Sequence, residues 1–161
     1  MHLARNSFGP ALLGGDRVEP ALKKEQVEAW RLFLEAHASL TRTLERELME
    51  EHKLPLTWYD VLVQLEEAGG HLRMHELADR LLLSRSATTR FVERLESREL
   101  IERRACSEDR RGTYVVLTTV GKDALRSASP IHLAGVEEHF AERLTESDTR
   151  AMIRALTKLV S

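Results

Sequence analysis

The chain has 161 residues, of which 42% are hydrophobic and 31% charged, and its net charge is −2. These figures fit one compact unit, or a small domain with an element that assembles on another chain, and they exclude a bulk polycation. No stretch approaches the ~20 apolar residues of a membrane span. The opening MHLARNSFGPALLGG lacks the apolar run of a secretory signal, and the single Cys106 excludes an intrachain disulfide, so a cytoplasmic location is expected.

Residues 1–20 hold Gly-Pro and Gly-Gly steps and close on Pro20, which predicts an extension or loose arm. From Ala21 to His52, Val27, Trp30, Phe33, Leu34, His37, Leu40, Leu44 and Leu48 recur at three- and four-residue steps, the stripe of a long helix. Such a helix would be about 45 Å long, more than a small domain's core can cover, so part of its stripe is expected on another subunit. Leu54-Pro55 ends it. Thr57 is the expected N-cap of a second helix, from Trp58 to Glu67, stopped by Gly69-Gly70.

HLRM predicts a short strand, and Glu76 to Leu82 a third helix. Ser84 caps a fourth helix running to Ser97, with Phe91, Val92 and Leu95 turned inward. Leu100 to Arg104 and Tyr114 to Leu117 have the make-up of two strands, joined by a turn that Gly112 can make tight. Arg110 and Arg111 stand at the tip of that hairpin. Thr118 or Thr119 opens a fifth helix, in which Pro130 predicts a kink or a break. The last helix, from Glu146 to Val160, carries Met152, Ile153, Leu156, Leu159 and Val160.

Charge is unevenly placed. Between Ser84 and Arg111 eight arginines face six acids, a locally basic stretch in an acidic chain. That pattern suits a protein that meets phosphate with one face. On the fourth helix, SRSATTRFVERLE, assigning Phe91, Val92 and Leu95 to the core leaves Arg85, Ser86, Thr89 and Arg90 facing outward near the N-terminus, where free N–H groups attract anions. Arginine forks and short hydroxyls are what a helix in the DNA major groove needs.

The stretch ELADRLLLSRSATTRFVERLESRELIERRACSEDRRGTYVVLTTVGKDAL resembles the winged helix-turn-helix of the MarR family of bacterial transcription regulators. The resemblance covers residues 55–121. Its most specific part is Asp109-Arg110-Arg111 ahead of Val115-Val116-Leu117-Thr118 and Gly121, similar to the family's wing signature. It implies a mainly α fold in which a winged helix-turn-helix lobe (55–119) lies between dimerisation helices (21–54 and 120–161). It also implies a homodimer on double-stranded DNA at a pseudo-palindromic operator, acting as a repressor released by a small aromatic or phenolic effector.

 In that reading the chain catalyses no reaction and carries no cofactor and no metal.

The residues carried over are Ser84, Arg85, Ser86, Thr88, Thr89, Arg90 and Arg94 on the recognition helix and Arg110 and Arg111 on the wing, all as DNA contacts. Arg111 matches the arginine of the signature and is expected in the minor groove, with Arg110 second. Asp109 and Gly112 are wing-structural, Asp109 holding the wing's angle through an arginine such as Arg94. Trp30, Phe33, His37, Trp58, Tyr59 and Asp60 are the expected effector pocket. Two departures stand out: Glu99 occupies a position where relatives place Gly, and His75 one where a Ser or Thr cap is expected.

Other readings stay open at this point. His71 and His75, or His132 and His139, raise metal sensing, although no short motif supplies the three or four ligands zinc requires. Cys106 lies among arginines and raises oxidant sensing. The same fold also serves as a protein-interaction module without DNA. No nucleophile–base pairing or phosphate loop points to an enzyme.

Overall fold

A computed structural model describes residues 22–81, 84–105 and 112–160. The chain divides into two compact units, one ending at Glu35 and the other running from Ala36. In the first, the described residues are mostly the opening turns of helix α1 (Lys24–His52). Val27, Trp30, Phe33 and Leu34 are exposed there, and the Trp30 and Phe33 rings stack with centroids 6.1 Å apart.

In the second unit the remainder of α1 is followed by α2 (Leu56–Glu67), β1 (His71–Arg73), α3 (Met74–Arg80) and α4 (Arg85–Glu96). Strands β2 (Ile101–Ala105) and β3 (Thr113–Leu117) come next, then α5 (Thr119–His139), a short 3-10 turn and α6 (Glu146–Val160). The sheet is antiparallel in the order β1-β3-β2, with Leu72 opposite Val115 and Ile101 opposite Leu117. Alternation turns those four apolar side chains into the core. There they join Leu48 of α1, Val61, Leu62 and Leu65 of α2, Leu77 of α3, and Val92 and Leu95 of α4. This is a helix-turn-helix with a wing, and the predicted mainly α winged-helix class holds.

Local differences from the sequence reading have local causes. Helix α2 begins at Leu56, with Pro55 at its N-cap, so Thr57 lies inside the helix. The free N–H of Leu56 donates to the Glu45 carboxylate of α1 at 2.6 Å, a cap supplied from another helix. Helix α3 begins at Met74, which puts His75 in its first turn. The Glu76 carboxylate accepts the Arg73 N–H at 2.7 Å, so a Ser or Thr is not needed. Pro130 does not divide α5. The ring removes one backbone bond, while Ala128 stays buried in the core and Gly135 packs against Leu44 and Glu47 of α1.

Candidate nucleic-acid interface

Helix α4 is positioned by its inner face. Thr88, Val92 and Leu95, spaced four and three residues apart, are all fully buried. Ser84 caps the helix, its hydroxyl accepting the Ala87 N–H at 3.3 Å. On the far side Ser84, Ser86, Arg90 and Arg94 are exposed, and Thr89 is partly so. Arg90 lies along the helix, its Nε 3.4 Å from the Ser86 carbonyl oxygen. Arg85 opens the helix, and its side chain is outside the described set.

Thr88 requires a correction. Its side chain is 0% exposed, and its hydroxyl donates to the Ser84 carbonyl at 3.1 Å, inside the helix. It supports the helix from within and reaches no ligand. The spacing to Val92 and Leu95 carried that information in the sequence.

The hairpin forms as the sequence predicts, with Ala105 paired to Thr113 at the end of the described ladder. Arg110, Arg111, Asp109 and Cys106 lie outside the described residues, and so does the expected Asp109–Arg94 pair; Gly112 is half-buried just before β3. A different ion pair, invisible to local sequence reading, ties the wing to α4. Arg103 of β2 meets the Glu96 carboxylate at 2.7 Å, and the Arg103 N–H donates to the same group at 3.2 Å. The side-chain bond from Arg103 holds the Glu96 carboxyl below its ordinary range. Arg104 pairs with Glu102 on the same strand. On the sheet's outer face Tyr114 meets the edge of His71 at 5.3 Å and carries the Arg73 guanidinium 5.6 Å from its ring centre.

The expected effector residues are placed as follows. Trp30 and Phe33 belong to the first unit, as described above. In the second, His37 is exposed, Trp58 is half-buried and Tyr59 is buried. Tyr59 packs against His132 of α5 with ring centres 4.6 Å apart and the planes tilted by 41°, and its hydroxyl donates to the Ser129 hydroxyl at 3.3 Å. Burial pushes the His132 imidazole below its ordinary range, with Asp60 pulling the other way. Asp60 keeps an exposed edge, yet lost solvation raises its carboxyl; His132 opposes that shift and Glu45 adds to it. A shallow groove of about 580 Å³ runs nearby along α2 and α5, lined by Glu66, Lys122, Leu125, Arg126, Ser129, Pro130 and Leu133. His132 was outside the expected pocket, because nothing in the local sequence links it to Tyr59, which lies on a different helix.

Among the described residues no cluster of His, Cys, Asp or Glu could hold a metal ion, and no helix is long and apolar enough to cross a membrane.

With this geometry in view, residues 52–112 match the model of the MarR family. A MarR family transcriptional regulator of Streptomyces coelicolor, AbsC, is 34% identical, superposes with a TM-score of 0.81, and the match covers 86% of this chain and 94% of that one. A second regulator from the same organism, Sco3205, solved in complex with DNA, is 31% identical, with a TM-score of 0.81 over 86% of this chain and 88% of that one. The HTH-type transcriptional regulator MhqR of Bacillus subtilis is 26% identical over 117 residues, 73% of this chain and 79% of the relative. An amphipathic helix capped by Ser84, a wing hairpin behind it and these relatives lead to one identification: the chain belongs to the MarR family of transcription regulators.

Proposed function

We propose that the protein is a homodimeric repressor that binds a pseudo-palindromic operator and leaves it when a small aromatic or phenolic effector binds. One observation carries the DNA-reading part. Helix α4 buries Thr88, Val92 and Leu95 and turns Ser86, Arg90 and Arg94 to solvent beside its capped N-terminus. Arginine there bridges guanine O6 and N7 or binds phosphate, and the serine hydroxyls reach either. Ser84, Arg85 and Thr89 complete the helix's contacts, and Arg110 and Arg111 extend them into the minor groove. The DNA complex of Sco3205 supports this reading.

The dimer is supported by the apolar surface that α6 leaves uncovered, including Ile153, Leu159 and Val160. Two copies related by a two-fold axis place their recognition helices about one DNA turn apart, ~34–36 Å. The effector reading rests on the family resemblance and on the aromatic and polar groups of Trp58, Tyr59 and Asp60, with Trp30, Phe33 and His37 as further candidates. A gel shift on DNA flanking the protein's own gene, with a salt titration, tests the proposal. Specific binding that weakens steeply with salt supports it; binding of no duplex above background overturns it. Small aromatic carboxylates should weaken that binding, and by linkage DNA should weaken theirs by the same factor.

A further inference from the structure

The angle of α4 is set where the helix ends. The Leu100 N–H donates to the Leu95 carbonyl at 3.1 Å and the Glu99 N–H to the Glu96 carbonyl at 2.9 Å. This pair of bonds closes a helix over one left-handed residue, and Glu99 is that residue, with φ at +59°. Leu95 and Leu100 are both buried, which fixes the reversal in the core.

The carbonyls of Glu99 and Leu100 then meet Thr118. Its hydroxyl lies 2.6 Å from the Glu99 oxygen and 3.0 Å from the Leu100 oxygen, and its N–H donates to Leu100 at 3.2 Å. The same hydroxyl oxygen accepts the Gly121 N–H at 3.0 Å and so caps α5. One side chain closes α4 and opens α5. Gly121 makes the approach possible, since a Cβ there would overlap the Leu100 carbonyl oxygen. At its other end α5 is held on α1, where Gly135 packs on Leu44 and Glu47 and His139 Nε2 lies 2.7 Å from the Glu47 carboxylate. Helix α5 is therefore a rod fixed at both ends, about 30 Å long.

We propose that Thr118 is a positioning residue for DNA recognition: its hydroxyl couples the direction of α5 to that of α4, and so sets the separation of the two recognition helices in the dimer. The inference rests on the DNA-reading dimer proposed above. A residue that only capped α5 would affect stability; a coupling residue also affects which half-site spacing is preferred.

The test uses the full chain and a duplex operator selected by the wild-type protein from a random pool. Its single half-site, and versions with one base pair added or removed between half-sites, are measured alongside. Thr118→Ser keeps the hydroxyl and should bind all duplexes within about twofold of wild type. Thr118→Val should bind the single half-site within about twofold, yet bind the full operator roughly tenfold more weakly and lose its preference for the original spacing. Thr118→Asp can cap α5 but, ionised, has no proton to give the two carbonyls. It should lose the spacing preference as Thr118→Val does, and it carries the test if the valine variant does not fold. A folded Val or Asp variant that keeps the wild-type spacing preference, or that loses half-site and full-site affinity equally, overturns the coupling. If wild-type protein selects no duplex, the DNA-binding reading itself falls.

Discussion

Helices α4 and α6 have the same kind of sequence, an apolar stripe on an otherwise charged helix, and opposite fates. Helix α4 sets Val92 and Leu95 fully into the core of its own chain. Helix α6 buries no residue, and Ile153, Leu159 and Val160 are 59%, 74% and 86% exposed. Periodicity thus states that a helix has an inner face, and not whose interior that face belongs to. For α4 the answer lies within the chain; for α6 the dimer proposed above would supply it from a second copy.

The largest expected difference follows from that contrast. Leu95→Ala should destabilise the fold by about 2–5 kcal/mol, the range for a buried leucine cut to a methyl. Ile153→Asp should leave secondary structure in place but favour monomer, and operator affinity should fall with the dimer. Chemical denaturation and sedimentation read the two effects separately. An Ile153→Asp protein that stays dimeric would remove α6 from the interface.

Next in size is the outward face of α4. Arg90→Ala should leave stability nearly unchanged and cost ~1–3 kcal/mol of base discrimination if the guanidinium meets a base edge. Arg111→Ala should instead lower affinity, relax the preference for A·T-rich sequence under the wing, and reduce the salt slope by about 1. Specificity profiles of both variants distinguish these roles. Unchanged affinity and salt slope on losing Arg111 would mean that the tip does not reach DNA.

Much of the fold was legible because its signals are local. The limits of α6, the Ser84 cap and the pairing of β2 with β3 all follow from periodicity, short hydroxyls and β-branched runs. What escaped depends on residues far apart in the chain. The start of α2 is shifted by a carboxylate eleven residues away, and Pro130 is tolerated because α5 packs on both α1 and the core. At the candidate site, the exposed Ser86, Arg90 and Arg94 could be read from helical spacing, whereas Thr88 was carried over as a DNA contact although its spacing to Val92 and Leu95 puts it inside. The Glu96–Arg103 tie could not be read, since a helix-to-strand ion pair leaves no periodic trace.

The helix ends offer a smaller contrast. Glu99 takes a left-handed conformation that α2 gives to Gly69, at φ +81°. Replacing Glu99 by Gly should stabilise the protein by about 1 kcal/mol. At α6 the Thr145 hydroxyl accepts the Asp148 N–H and the Asp148 carboxylate accepts the Thr145 N–H. Thr145→Ala should therefore cost about 1 kcal/mol. Thermal melts of the two variants should move in opposite directions, and a lower midpoint for Glu99→Gly would show that the glutamate is not strained.

The smallest expected effect separates a tertiary tie from a local one. Glu96 on α4 and Asp148 on α6 both have carboxyls held below their ordinary range, Glu96 mainly by the Arg103 side chain and Asp148 by the Thr145 hydroxyl and N–H. A depressed carboxyl contributes stability that is present above its unfolded value and lost as pH falls through its folded value. The unfolded values are 4.5 for Glu96 and 3.8 for Asp148, so both contributions should fade on acidification below those points. Both groups are at the surface, so each effect is small, and added salt should weaken the Glu96–Arg103 tie further. Thermal midpoints of wild type, Glu96→Gln and Asp148→Asn are compared from pH 6 down to about pH 3. Each variant should lie below wild type at the upper end and converge on it at the lower end. The Glu96→Gln difference should also shrink in high salt, because it joins a charge on α4 to one on β2, whereas the Asp148 cap, bonded to neutral groups, should respond less. A Glu96→Gln difference independent of both pH and salt would mean that the ion pair contributes nothing to holding the wing against the helix.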